Sequence, residues 1–286
     1  QVPIRRMRSI FPLLSGTRKL LDRLVALLAS VEPEASPGYE AWGLARIART
    51  VEVLKRWVAP KSRVLDLGSG AHFSYLVSAS LPDIEWCPTD VTDDSVIFTN
   101  WETGQPVYAY RPIKLLLDEG RVHLPQEGKL DVVTLFEVIE HLPWNPCALL
   151  GSINESLVDG GLCIISTPNL SCRAAVLRLL RGGSPHQTPL LGNNLWYHKK
   201  EFTPWELKQA LGWAGLTIES LGTSDVCLSD LTGWRGAIHE LSWLTAASLT
   251  LSAIEIRNRL LYSGSTMFVV ARKARHCDWT KPQISL

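Results

Sequence analysis

Val64-Leu65-Asp66-Leu67-Gly68-Ser69-Gly70 is an apolar run broken by one acidic residue and ended by two glycines one residue apart. Its length, its branched residues and the glycines behind it predict a buried strand running into a tight turn. A helical stretch begins near Ala71. Glycines at such a turn let a ligand come close to the backbone, although the same two residues also serve ordinary turns, so the neighbourhood has to decide.

Working outward, the next predicted strand ends at Thr89-Asp90, with Asp90 24 residues beyond Asp66. An acidic residue about 20 residues after the glycine turn can hydrogen-bond ribose hydroxyls. Asp90 is therefore the ribose candidate, the alternative being a cap on the segment beginning around Val91. Further apolar runs at 131–136 and 162–166 flank a helical pattern at 146–157, with Gly160-Gly161 turning the chain between them. Strands alternating with helices predict an α/β fold, a parallel sheet covered by helices on both faces.

On the N-terminal side, Leu20, Leu21, Leu24, Leu27 and Leu28 recur at helical spacing within residues 17–30, and a second helix is expected over 39–58. On the C-terminal side, a short helix over 171–181 is followed by a loop that runs past Gly182-Gly183-Ser184-Pro185 to Asn194. Thr203, Pro204 and Glu206 form the signature of a capped helix start. Strands are expected at 216–221 and 266–272, pairing as a hairpin, with a long helix at 234–261 between them. The organisation read from this pattern is an N-terminal helical extension (1–58), a main domain (59–275) carrying a cap insertion (171–200) and a late helical insertion (234–261), and a tail (276–286).

Composition excludes several classes. With 29 Lys plus Arg against 28 Asp plus Glu and 46% hydrophobic residues, the chain is neither disordered nor a polyelectrolyte. Net charge of +1 argues against broad nucleic-acid binding, which depends on many cations displacing phosphate counterions. The six cysteines form no CxxC pair, so neither a disulfide scaffold nor a structural zinc site is indicated and a cytoplasmic setting is expected. The basic opening residues lack a signal-peptide pattern, and 241–256, the most apolar stretch, is too short and too rich in Ser and Thr to span a bilayer. The 234–261 helix reads as core or homodimer packing, with peripheral membrane contact as the alternative.

Taken together, Asp66-Leu67-Gly68-Ser69-Gly70, Asp90, Phe136-Glu137-Val138-Ile139-Glu140-His141-Leu142 and Ser166-Thr167-Pro168-Asn169 resemble the class I S-adenosylmethionine-dependent methyltransferases, over about residues 58–273. The closest motif patterns are those of ubiquinone-pathway O-methyltransferases and of methyltransferases in polysaccharide and natural-product pathways. The resemblance implies a Rossmann-like, mostly parallel seven-stranded sheet flanked by helices. It implies that Gly68, Ser69 and Gly70 lie beside the methionine part of the cofactor, that Asp66 is near its amino group and Asp90 on the ribose, and that Phe136 and Glu137 border it. The chain departs from the family pattern at His72, where a third glycine is common. It departs again in the long 92–117 interval, which puts the adenine contact near Asp118. The implied reaction is an in-line displacement at a sulfonium methyl, acting on a small-molecule or sugar acceptor, most simply at oxygen.

Such a displacement asks the protein mainly for orientation, and for a base when the acceptor carries a proton. Glu137, Glu140 and His141 stand at i, i+3 and i+4, so one helical turn would present all three together. His198, at the entry to the later helix, could join them. Two carboxylates and two imidazoles suit a divalent ion such as Mg²⁺ or Mn²⁺. The set is similar to that of small-RNA 2′-O-methyltransferases, where the family's metal orients adjacent hydroxyls. Three readings stand beside this one: a metal-free site with His141 or His198 as base, an RNA 2′-O-methyltransferase, and a noncatalytic scaffold. An NAD-dependent oxidoreductase, a further alternative, shares the glycine turn and the ribose acid but would more often carry a third glycine where this chain has Phe73. Trp205 and Trp213 read as core residues, Trp196 and Tyr197 as an acceptor wall, and Arg173, Arg178 and Arg181 as a solvated face or a phosphate contact.

Overall fold

The computed structural model describes residues 15–31, 39–90, 94–110, 113–114, 116–118, 121–123, 129–142, 146–186, 198–224, 262 and 264–277. The basic opening segment, Val91, Pro143, Trp196 and Tyr197, the 234–261 helix and nearly all of the tail lie outside them. By compactness the chain divides into two units, Gln1–Arg63 with Ser69–Lys114, and Val64–Gly68 with Leu115–Leu286.

In the first unit, α1 (Ser15–Val31) and α2 (Tyr39–Trp57) form where the leucine spacing places them. Leu20, Leu24 and Leu28 of α1 are buried, as are Leu44, Ile47, Val51 and Leu54 of α2, one apolar stripe per helix. Both pack on α3 (Ala71–Ser80), and the Arg23 guanidinium donates to the Ala79 carbonyl at 2.7 Å near that helix's C-terminal end. Strand β2 (Glu85–Asp90) ends at the predicted acidic residue. It pairs in parallel with the two-residue β5 (Ile113–Lys114), Asp90 facing Lys114 in the register.

The interval without a sequence assignment contains an antiparallel hairpin, β3 (Val96–Thr99) with β4 (Pro106–Tyr110). Phe98 stacks on Tyr75 at 5.3 Å between ring centroids, Tyr108 lies 5.6 Å from Tyr75, and His72 meets Phe98 at 5.0 Å. The imidazole at the position where a third glycine is common is thus built into an aromatic cluster, a packing solution for the start of α3.

The second unit holds β1 (Arg63–Leu67, from Val64 onward), the hairpin of β6 (Leu116–Asp118) and β7 (Arg121–His123), β8 (Leu130–Phe136) and α4 (Pro146–Ser156). After these come β9 (Leu157–Pro168), α5 (Arg173–Leu180), α6 (Pro204–Trp213), β10 (Leu216–Ser224) and β11 (Thr266–Lys273). Strand β8 lies parallel to both β1 and β9, while β11 inserts antiparallel between β9 and β10. The expected pairing of the last strand with the earlier one is present, Thr217 opposite Arg272 and Ser224 opposite Thr266. The architecture is the expected Rossmann-like α/β one, with a mostly parallel sheet flanked by helices. Five strands make the sheet of this unit, and β2 and β5 pair in the other.

Two details depart from the sequence reading. Gly160-Gly161 do not turn the chain ahead of a strand at 162–166. They sit inside β9, where the register jumps from Leu130 opposite Leu157 to Val132 opposite Leu162 and Gly160 adopts φ +77°. Trp213 is buried as expected, but Trp205 is 66% exposed, because it stands in the first turn of α6 on the face away from buried Leu207, Ala210 and Leu211. The Thr203 cap forms as predicted. Thr203 Oγ1 accepts from Glu206 N at 3.3 Å and the Glu206 carboxylate accepts from Thr203 N at 2.8 Å. Among the described residues, no helix is long and apolar enough to cross a membrane.

Candidate functional site

At the C-terminal end of β1, Asp66 is 1% exposed, and a carboxylate that deep needs donors. Thr134, one strand away on β8, supplies one, its Oγ1 donating to Asp66 Oδ1 at 2.6 Å. Gly68 follows with φ +72°, and a Cβ there would lie 2.7 Å from Val138 Cγ2, so both conformation and packing demand glycine. Gly70 is different. It caps α3 with an ordinary φ of −61°, and a Cβ on it would meet nothing within 4 Å. Neither φ nor a steric clash demands glycine at this position, though an N-cap tolerates it well.

Ser69 is fully buried in the first unit, its N–H donating to Thr89 O at 2.8 Å and its Oγ lying 2.6 Å from Ser74 Oγ. Ser74 Oγ in turn accepts from Trp86 Nε1 at 3.2 Å, so this residue of the loop is braced from beneath by a buried polar chain. Asp90 stands half-buried at the end of β2. Asp118 ends β6 opposite Arg121, and its side chain lies outside the described residues.

At the end of β8, Phe136 is buried and Glu137 takes φ +58°, a left-handed conformation that costs a non-glycine residue about 1–2 kcal/mol. Bonds to β9 hold it there, with Glu137 N donating to Ser166 O at 3.0 Å and Ser166 Oγ donating to Glu137 Oε1 at 2.7 Å. The turn that follows is a 3₁₀ turn at Ile139–His141. Glu137 precedes it, so the i, i+3, i+4 face expected for Glu137, Glu140 and His141 does not form. The backbone reversal at Glu137 sends its carboxylate to Ser166 instead.

Glu140 and His141 are brought to His198. The Glu140 carboxylate is fully buried and accepts from Thr167 Oγ1 at 3.0 Å, while its backbone carbonyl accepts from Lys199 N at 2.6 Å and Lys200 N at 3.1 Å. Those backbone bonds deliver His198, whose ring lies 5.0 Å from that of His141 at an interplanar angle of 73°. His141 Nε2 is 3.9 Å from Glu140 Oε1. One donor atom from each of Glu140, His141 and His198 lies within 4.8 Å of the others, a separation a divalent ion could bridge with one carboxylate and two imidazoles.

Sequence reasoning missed Glu201, whose buried carboxylate sits 2.7 Å from His198 Nδ1. It stands three residues beyond the singled-out histidine, but a charged residue beside a helix cap reads as surface. Thr134 gave no signal, since only the parallel pairing of β1 with β8 places it beside Asp66. Burial pushes the Cys163 thiol up to about 12 and likewise raises Cys147, which favours the thiol over the thiolate at both. Arg178 is turned onto the Ser184 and Pro185 carbonyls at 3.2 and 2.7 Å, so it braces a loop.

Comparison with known proteins bears on this geometry. A family model described as a methyltransferase domain matches residues 19–221. A ubiquinone biosynthesis O-methyltransferase from Psychrobacter arcticus is 30% identical over 106 residues, 35% of this chain and 40% of that enzyme. Another, from Xanthomonas campestris pv. campestris, is 26% identical over 173 residues, 59% of this chain and 68% of that one. The aligned stretch thus spans less than half the length of the first of these relatives. A solved S-adenosylmethionine-dependent methyltransferase from Archaeoglobus fulgidus is 17% identical with a TM-score of 0.46, covering 82% of this chain and 99% of that one. With a family model matched over well more than half of its residues, the chain belongs to the methyltransferase-domain family, within the class I S-adenosylmethionine-dependent methyltransferases.

Proposed function

We propose that this protein moves the methyl group of S-adenosylmethionine to an oxygen of a small-molecule acceptor, a hydroxyl on a ring or a sugar, at the Glu140, His141 and His198 cluster. The observation that carries this reading is the convergence of those three side chains, Glu140 and His141 in the turn after β8 and His198 ahead of α6. The names of the ubiquinone-pathway relatives favour oxygen as the nucleophile.

When bound, S-adenosylmethionine supplies a methyl group on a cationic sulfur, whose C–S bonding pair stays with sulfur as the new C–O bond forms. The protein's share is placement. Asp66 offers its buried carboxylate to the cofactor's ammonium, Gly68 and Ser69 shape the turn, and Gly70 leaves room beside the backbone. Asp90 accepts from the ribose hydroxyls, Phe136 and Glu137 border the cofactor, and the adenine lies towards Asp118. His198, with His141 beside it, takes the proton that the acceptor hydroxyl loses. The donor set also fits a divalent ion, and Glu140, His141 and His198 are the residues that would hold Mg²⁺ or Mn²⁺, which would supply positive charge to make an acceptor hydroxyl more acidic. A carboxylate with two imidazoles suits Mn²⁺ better than Mg²⁺, which prefers oxygen ligands.

Calorimetric titration of metal-stripped protein with S-adenosylhomocysteine, with NAD as the comparison ligand, tests the cofactor half. Saturable binding of the first alone is expected. A methyl-transfer screen on phenols, catechols and sugars, with and without added Mn²⁺, tests the acceptor half. Transfer to amines or RNA but to no hydroxylic small molecule would overturn it.

A further inference from the structure

Glu201 is a buried carboxylate that the proposed chemistry leaves without a role. Its side chain is fully excluded from water, one oxygen 2.7 Å from His198 Nδ1 and the other 3.7 Å from His186 Nδ1. Carboxylates are rarely buried this deeply without a purpose that offsets desolvation. The local backbone is fixed independently of it. Lys199 N and Lys200 N hold the segment to Glu140 O at one end, while at the other Leu170 N donates to Phe202 O at 2.9 Å and Phe202 bridges to Asn169. Those bonds set where the His198 backbone lies but not which way its imidazole faces or which nitrogen carries the proton.

An ionised carboxylate can only accept, so the imidazole nitrogen against it must donate. In a neutral ring that leaves Nε2 with the lone pair. We propose that Glu201 is a positioning residue that locks His198 as the Nδ1–H tautomer, so that Nε2 is the nitrogen offered to the Glu140–His141 cluster. Carboxylates that orient a working imidazole through its other nitrogen recur in metal and acid–base sites. The inference rests on the reading of that cluster as the acceptor site, but its first test does not depend on that reading.

Long-range proton–nitrogen correlation spectra of isotope-labelled, metal-stripped full-length protein with S-adenosylhomocysteine bound, recorded where imidazoles are neutral and assigned with His198→Gln, report the tautomer directly. The expected result is Nδ1–H for His198 in the wild type, retained in Glu201→Gln, whose amide oxygen can still accept, and lost in Glu201→Ala. Mn²⁺ affinity should fall about 10- to 100-fold in Glu201→Ala and less in Glu201→Gln, with S-adenosylhomocysteine affinity unchanged. His186→Ala should leave the tautomer as it is, and a changed tautomer there would move the lock to His186 and overturn the assignment. Nε2–H in the wild type overturns it outright, as does a Glu201→Ala protein that binds S-adenosylhomocysteine and keeps both its tautomer and its Mn²⁺ affinity. Should Glu201→Ala fail to fold, the wild-type and Glu201→Gln spectra still decide. Should the wild type bind no Mn²⁺ and methylate no hydroxyl, the reading of the cluster fails while the tautomer result stands by itself.

Discussion

Two strand ends in the second unit do comparable work by different means. At the end of β1, the strand, its carboxylate and the turn are continuous in sequence, and Thr134 donates to Asp66 from the neighbouring strand. At the end of β8, the turn supplies Glu140 and His141, but β9 brings Ser166 and Thr167, and the segment entering α6 brings His198 and Glu201. The first is a local conformation joined to the neighbouring strand through Thr134, 68 residues on from Asp66. The second is a tertiary assembly, held by hydrogen bonds spanning up to about sixty residues, Lys199 N to Glu140 O among them. The lesson is that damage at the β1 end should register in folding and cofactor affinity, whereas damage at the β8 end should register in transfer.

The sharpest break between the two ends comes from His198. His198→Ala should slow transfer by about 10²- to 10⁴-fold, the span of a lost general base or acceptor-orienting group. Its S-adenosylhomocysteine affinity should stay within the error of the titration. Single-turnover rates with saturating cofactor check this, and a variant that lost cofactor affinity in proportion to rate would erase the distinction. Glu140→Gln belongs to the same class.

At the β1 turn the two glycines should part company. Gly68→Ala forces a Cβ into a left-handed residue and to within 2.7 Å of Val138 Cγ2, so it should cost about 2–4 kcal/mol of stability, read from denaturant midpoints at an unchanged slope. Gly70→Ala meets open space at an ordinary φ and should cost no more than the ~1 kcal/mol of a poorer N-cap, while weakening S-adenosylhomocysteine. Equal destabilisation of both would mean that Gly70 is only a turn residue.

How much of this the sequence reveals follows the same division. The alternation of β1, α3, β2, β8, α4 and β9, the acidic residue at the end of β2 and the Thr203 cap are legible because each rests on spacing within one segment. The places of Asp66 in β1 and of Gly68 and Gly70 in the turn behind it are legible for the same reason. The 3₁₀ turn was not, because helical spacing from Glu137 to His141 holds only if Glu137 has a helical φ, and the bonds to Ser166 impose +58° instead. Glu201 and Thr134 were illegible in another way. Nothing in a buried carboxylate's own neighbourhood separates it from a surface one, and Thr134 acquires its meaning only from strand register. His72 looked like a missing glycine, and its explanation is an aromatic cluster contributed by a hairpin that no motif announced.

Thr134→Val sharpens the comparison from the tertiary side of the β1 end. Removing the hydroxyl leaves the buried Asp66 carboxylate short of a donor, at a cost of about 1.5–3 kcal/mol for a hydrogen bond to a charged group. A substantial part of that loss should return on saturation with S-adenosylhomocysteine, if the cofactor's ammonium sits against the same carboxylate. Thermal unfolding with and without ligand measures both numbers, and an unchanged ligand-induced shift would separate Asp66 from the ammonium.

The smallest effect belongs to the cap that carries the His198 segment into α6. Partial burial pushes the Glu206 carboxyl up, but hydrogen bonds from Thr203 N and Oγ1 and the Lys200 ammonium at 3.3 Å outweigh it and hold the group below its ordinary value. Because the folded-state value is depressed, the stabilisation is complete above the ordinary carboxylate value and is lost as pH falls through the folded one. Glu206→Ala should therefore cost about 1 kcal/mol at neutral pH, and the gap between variant and wild type should close on acidification. The pH series also bears on the comparison. His198 is held by Glu140 and Glu201, neither of them on α6, so Glu206→Ala should leave transfer nearly untouched at neutral pH. A loss of rate far larger than the loss of stability would mean that the helix cap, and not the bonds to Glu140 and Glu201, is what keeps His198 at the β8 end.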